Sequence, residues 1–137
     1  MAVVLRVALI LGIAIDAYVS ALALFAQGLI EPLLDLPVRD PALTTIAGGE
    51  FAVVAGLYAA AFREPRRYRP LLWLCALDQL FAVVLPALAI VHGQIPATPK
   101  TVGPLPVQSA LAIVYALGAA RRDRKPAALV EARSDGA

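Results

Sequence analysis

One cysteine, one histidine and one tryptophan leave this chain little with which to build a metal centre, a disulfide or a haem attachment. A lone Cys75 cannot form a disulfide within the chain, and among apolar neighbours it would make a poor nucleophile. His92 has no second histidine with which to share a metal ion, so it reads as a residue at a membrane boundary. Phosphate-cradling loops, nucleophile elbows and zinc spacings are also missing, which disfavours the enzymes built on them. No cofactor is expected.

Charge is scarce as well. Only 16% of the 137 residues are charged while 61% are apolar, against about 25% charged in soluble proteins. A soluble helical fold needs polar outer faces, and long stretches here have none, so the apolar surface is expected to meet lipid. Crossing ~30 Å of hydrocarbon takes roughly 20 residues of helix, because a helix satisfies its own backbone groups without water. Four stretches qualify: 3–25, 42–62, 70–91 and 103–120. The expected fold is therefore all-α, an integral membrane four-helix bundle over 1–120, followed by a basic, disordered cytoplasmic tail over 121–137.

Positive charge is concentrated. Arg63, Arg66, Arg67 and Arg69 lie between the second and third spans, and Arg121, Arg122, Arg124 and Lys125 follow the fourth. Basic residues close to helix ends mark the cytoplasmic side, so both termini are expected inside a membrane of the bacterial cytoplasmic type. The segments 26–41 and 92–102 then lie outside, with Arg39 and Lys100 set against Glu31, Asp35 and Asp40. Without interleaved aromatics or a binding module, the clusters do not read as a nucleic-acid surface. An alternative takes residues 1–23 as a cleaved signal, against which stands the acidic Asp16 in the middle of the run.

Segment 26–41 holds Pro32, Pro37 and Pro41 among leucines, which predicts a structured loop on the membrane surface, a connector more than a lid. Trp73, Tyr68 and Phe62 lie where aromatic rings anchor helices at the head groups, and Pro86 is a point at which the third span could kink.

Within the spans, ionisable side chains are expensive in lipid, about 2.5–3.5 kcal/mol each, and are expected to face the bundle interior. There are three, Asp16, Glu50 and Asp78, with Gln79 beside Asp78 and Gln108 entering from the fourth span. At 1.5 Å rise per residue, Asp16 and Glu50 come to about the same depth, and Asp78 lies roughly one turn nearer the cytoplasm. Without an intramembrane cation the three cannot all be ionised comfortably, and at least one is expected to carry a proton at neutral pH. The five polar residues are the candidate ligand or proton groups. An equally weighted reading makes them structural, bonded to Ser20, Tyr58 or Tyr115 across helix contacts. Ala8, Gly12, Asp16 and Ser20 form a small, polar stripe on the first helix; Gly48, Ala52, Gly56 and Ala60 form another on the second, so these two helices are expected to pack most tightly.

The stretch Ala47-Gly48-Gly49-Glu50, followed by an Ala- and Leu-rich span, an arginine-rich turn and another apolar span, resembles the DoxX-like small membrane proteins. The resemblance covers residues 1–120 in layout and implies a compact four-helix bundle, with Glu50 as a buried acid. Some members of that family are associated with quinone-linked redox complexes.

Three functions follow from the sequence. The leading one is an accessory or assembly subunit of a larger membrane complex, or a homo-oligomer, with no catalytic role. The second is a bundle that binds or transforms an apolar small molecule, such as a quinone, sterol-like compound or lipid, through intramembrane carboxyls. The third, a proton-coupled small-molecule exporter, is opposed by the lack of a repeated half.

Overall fold

The computed structural model describes residues 2–64, 67 and 69–120 and is all-helical, with no strand among them. Arg66, Tyr68 and the basic tail 121–137 lie outside the described residues. The long helices are α1 (Ala2–Phe25), α3 (Pro41–Arg63), α4 (Arg69–Val91) and α6 (Pro104–Ala120). Between α1 and α3 come a 3-10 turn (Gln27–Leu29) and the short α2 (Ile30–Leu34), and α5 (Pro99–Val102) leads into α6. Four apolar stretches, the last running from Pro99 through α5 to Ala120, are long enough to cross a membrane. Four such stretches make the chain an integral membrane protein.

The lipid-facing surface is made by residues that no soluble bundle would leave in water. Phe25, Val53, Val91 and Leu43 are 86%, 65%, 79% and 63% exposed, and exposed large apolar residues such as Ile113 occur on α6 as well. Pro86 sits inside α4 without breaking it. Asp40 starts α3 by accepting from the backbone N–H groups of Ala42 and Leu43 at 2.8 and 3.1 Å, with Pro41 in the first turn.

The four spans form two close pairs. α1 packs along α3 and α4 along α6, and the pairs meet each other along a narrower seam. The tight packing of α1 on α3 comes from glycine: a Cβ at Gly48 would lie 2.8 Å from Ala23 Cβ, and the Gly48 carbonyl accepts the Ser20 hydroxyl at 2.8 Å. With no hydrophobic drive between helices in lipid, such close contacts and interhelical hydrogen bonds hold the bundle. On the α4–α6 side, Arg69 Nε donates to the Ala119 carbonyl at 2.6 Å, tying the start of one helix to the end of the other.

Of the two small-residue stripes, only the first is buried along its whole length, the second meeting α1 at Gly48. Ala8, Gly12, Asp16 and Ser20 are all buried, whereas on α3 Ala52 and Gly56 are exposed. The buried face of α3 is instead Gly48, Ala55, Tyr58 and Ala61. A four-residue step advances about 400°, so such a row drifts roughly 40° each time around its helix. On α1 the drift is accommodated because the row passes from α6, at Ala8 and Gly12, to α3, at Ser20. On α3 the same drift carries the row out to lipid.

At the end of the bundle opposite the arginines, segment 26–40 folds over the tip of α1. Ile30 is buried against Leu22 and Ala23, with Leu34 and Leu36 packed beside it. Asp35 ends α2 in a left-handed conformation (φ 54°) and its carboxylate accepts from Thr98 Oγ1 at 2.7 Å and Lys100 Nζ at 3.1 Å. Lys100 also donates to the Pro32 carbonyl, and Arg39 to that of Gln94. The two loop segments are therefore stapled into one cap.

Candidate functional site

The seam between the helix pairs is polar where everything around it is apolar. Two tyrosines, both fully buried, occupy its centre with ring centroids 5.4 Å apart and planes tilted by 48°. Tyr115 of α6 donates to the Ala8 carbonyl of α1. Tyr58 of α3 reaches across to α4, where its hydroxyl lies 2.8 Å from Asp78 Oδ2 and 3.2 Å from the Cys75 carbonyl. Gln79 Nε2 donates to the same hydroxyl at 2.9 Å and to Asp78 Oδ2 at 3.2 Å. Both rings lie against α1 because residue 12 is glycine: a Cβ there would be 2.8 Å from Tyr115 Oη and 3.0 Å from the Tyr58 ring.

One turn further along α1, Asp16 is 3% exposed and lies within electrostatic range of Asp78. Its Oδ2 is buried without a hydrogen-bond donor among the described residues, and so is Oε1 of Gln79, which is 1% exposed. Buried polar atoms are nearly always partnered, since an orphan forgoes about 1–3 kcal/mol of hydration. Two orphans in one cluster, both acceptors, describe a site short of donors. The donors present are two tyrosine hydroxyls and one carboxamide, and all are already directed elsewhere, Tyr115 at the Ala8 carbonyl and Tyr58 and Gln79 at Asp78. No lysine, arginine or histidine occurs between residue 7 and residue 25, between 41 and 62, or between 70 and 91.

Of the five polar residues singled out in the sequence, Asp16, Asp78 and Gln79 come together. Glu50 does not, which corrects the expectation of three converging acids and the buried acid that the family resemblance implied. Its side chain is exposed on the outer surface of α3, with no hydrogen bond or ion pair among the described residues. Depth along a helix fixes height but not direction: two residues beyond Gly48, which faces α1, the helix has turned about 200°. Gln108 is half-buried on α6 and makes no hydrogen bond to the seam. Tyr58 was legible as a bonding partner but not as the hub. His92 is exposed at the loop end, and no group of three metal-ligating side chains occurs among the described residues.

A second feature lies on the lipid side of α4 and α6, an open groove of about 510 Å³ lined by Trp73, Leu77, Leu80, Ala112, Ile113 and Ala116, among others. Its walls are almost wholly apolar. Ala76 floors it and also belongs to the core cluster that contains Tyr58 and Cys75, so one layer of side chains separates groove from seam.

The chain matches no family model, and comparison with curated proteins and solved structures found no match.

Proposed function

We propose that this protein is a membrane-embedded binding bundle that holds a small lipophilic molecule by its polar head in the seam between the α1–α3 and α4–α6 pairs. The observation that carries this reading is the pair of buried, donorless oxygens, Asp16 Oδ2 and Gln79 Oε1. A structural network closes on itself; here the Tyr58–Asp78–Gln79 contacts leave Gln79 Oε1 over, and Asp16 Oδ2 beside them has no donor among the described residues. The fitting head group supplies O–H or N–H, and parting the one layer of side chains that includes Ala76 would let its tail reach the apolar groove. A quinol is one molecule with such a head and a hydrocarbon tail. The placement we favour is the bacterial cytoplasmic membrane, with the arginine end and both termini in the cytoplasm.

The test is extraction in native lipid with a polymer belt, followed by mass analysis of bound lipophiles, for the wild type and for Asp16→Asn. A stoichiometric molecule with a hydroxyl or amino head, missing from the variant, supports the proposal. Identical lipid content in the two samples contradicts it.

A second reading, the accessory subunit, is favoured by Glu50. A carboxyl facing lipid carries a penalty of about 2.5–3.5 kcal/mol, which a hydrogen-bonding helix of another protein would relieve. In that case Glu50→Leu weakens retention of a copurifying membrane protein, while Asp16→Asn leaves it intact. Unchanged retention in Glu50→Leu counts against it.

A further inference from the structure

We infer that the open groove between α4 and α6 is a site for an anionic phospholipid of the leaflet at the arginine end, with an acyl chain in the groove and the phosphate on Arg69. The site lies on the outer side of these helices and does not depend on the seam holding a ligand.

Groove and arginine share one face of the bundle. The α4 wall is Trp73, Leu77 and Leu80 over Ala76, and the α6 wall includes Ala112, Ile113 and Ala116. Residues 73–80 fall in the half of α4 that begins at Arg69, so the groove opens to a single leaflet. At 3.6 residues per turn, Arg69 lies about 40° around α4 from Trp73 and within about 20° of Ala76 and Leu80, one turn nearer the helix start. Its Nε–H donates to the Ala119 carbonyl at 2.6 Å, a bond that crosses between the two helices forming the groove, nearly one turn beyond Ala116. The guanidinium therefore stands at the arginine end of the crevice that the acyl chain would fill.

The chemistry there selects the head group. Arg69 spends one of its five N–H donors on Ala119 and forms no ion pair with an acid among the described residues. Its remaining donors suit phosphate oxygens, which a guanidinium takes two at a time. In sequence, residues 63–69 carry four arginines, and residues 121–125, directly after α6, carry three more and a lysine, against Glu64 and Asp123 alone. A zwitterionic lipid brings a cation into that field and an anionic one does not, and basic pockets between spans are a recurrent site for anionic head groups. Trp73, between Arg69 and the aliphatic part of the groove, is the residue type that sits at the level of the lipid head groups.

The test is the thermal unfolding midpoint of the full-length protein, delipidated in a neutral detergent, with dioleoylphosphatidylglycerol, dioleoylphosphatidylcholine or glycerol phosphate added at equal concentration. The first is expected to raise the midpoint by several degrees, the second by much less, and the third, a head group without chains, not at all. Arg69→Gln removes the phosphate contact and Ala112→Phe fills the groove, and each is expected to lose most of the phosphatidylglycerol shift. Arg63→Gln, the same loss of charge at the end of α3, is expected to keep it. Equal shifts from the two lipids would overturn the anionic head group, and an equal shift from glycerol phosphate would mean a site for free phosphate and overturn the lipid. Equal losses in Arg69→Gln and Arg63→Gln would reduce the effect to diffuse charge and overturn the site, as would a full shift in Ala112→Phe or no shift with the wild type. Should Arg69→Gln fail to fold, Arg69→Lys keeps a charge and a donor for Ala119 but gives up the paired N–H groups; a reduced shift is expected, and a full one overturns the role of Arg69.

Discussion

Replacing Gly12 by alanine should destabilise the bundle, although alanine is the better helix former. In an open position the exchange gains about 1 kcal/mol of helix propensity. Position 12 is not open: the new methyl would lie 2.8 Å from Tyr115 Oη and 3.0 Å from two atoms of the Tyr58 ring. Both tyrosines are fully buried and anchored at their hydroxyls, by the Ala8 carbonyl and by Asp78, so neither can swing aside cheaply. Overpacking of this kind costs about 1–3 kcal/mol, and displacing one tyrosine hydroxyl adds roughly 1 kcal/mol more. After the propensity gain the net loss is about 1–3 kcal/mol. Gly56 is the internal control, since nothing lies within 4 Å of a Cβ built there, and Gly56→Ala should be neutral or stabilising by up to about 1 kcal/mol. The assay is reversible unfolding in mixed micelles of increasing SDS fraction, followed by circular dichroism. Gly12→Ala as stable as the wild type would refute the packing of the two rings against α1.

Other substitutions test the remaining contacts. Tyr58→Phe removes a donor to Asp78 and an acceptor for Gln79, and is expected to cost about 1–3 kcal/mol in the same assay. Ser20→Ala loses one buried bond to the Gly48 carbonyl, worth about 0.6 and at most roughly 1.7 kcal/mol among membrane helices. At the loop end, the Thr98 hydroxyl and then the Lys100 ammonium hold the Asp35 carboxyl below its usual range. A carboxylate with a lowered folded value contributes its full stabilisation above the ordinary value near 3.9 and loses it as pH falls through the lowered one. Hydrogen exchange in 26–40, corrected for intrinsic rates, should therefore show constant protection from pH 7 to about 5 and a decline only below about 4. Asp35→Asn should give weaker protection without that low-pH decline.

The spans were legible because hydropathy sums over some twenty residues, so single exceptions such as Asp16 or Pro86 do not disturb it. Asp16, Asp78 and Gln79 were legible as interior groups for the same reason: a polar side chain in a span has few places other than the inside to go. Glu50 shows where that inference fails, since it stands at the right depth but on the wrong side of α3. Azimuth depends on which neighbours a helix acquires, and the stripe through Ala52 and Gly56 misled in the same way. The value of Gly12 became visible only with Tyr58 and Tyr115 in place, because it belongs to a contact among three helices. The Asp35–Lys100 staple joins residues 65 apart through two loops whose paths no local pattern specifies.

The most direct test of a ligand-binding seam, as opposed to a structural network, is the unfolding free energy of Asp16→Asn measured without added ligand. Asp16 Oδ2 has no donor among the described residues, so the carboxyl is not holding helices together there, and an amide removes the buried acid while keeping the shape. Equal or greater stability than the wild type is expected, a gain of up to about 1–3 kcal/mol. A loss of that size would mean that Asp16 is bonded within the bundle, and that the seam is glue and not a site.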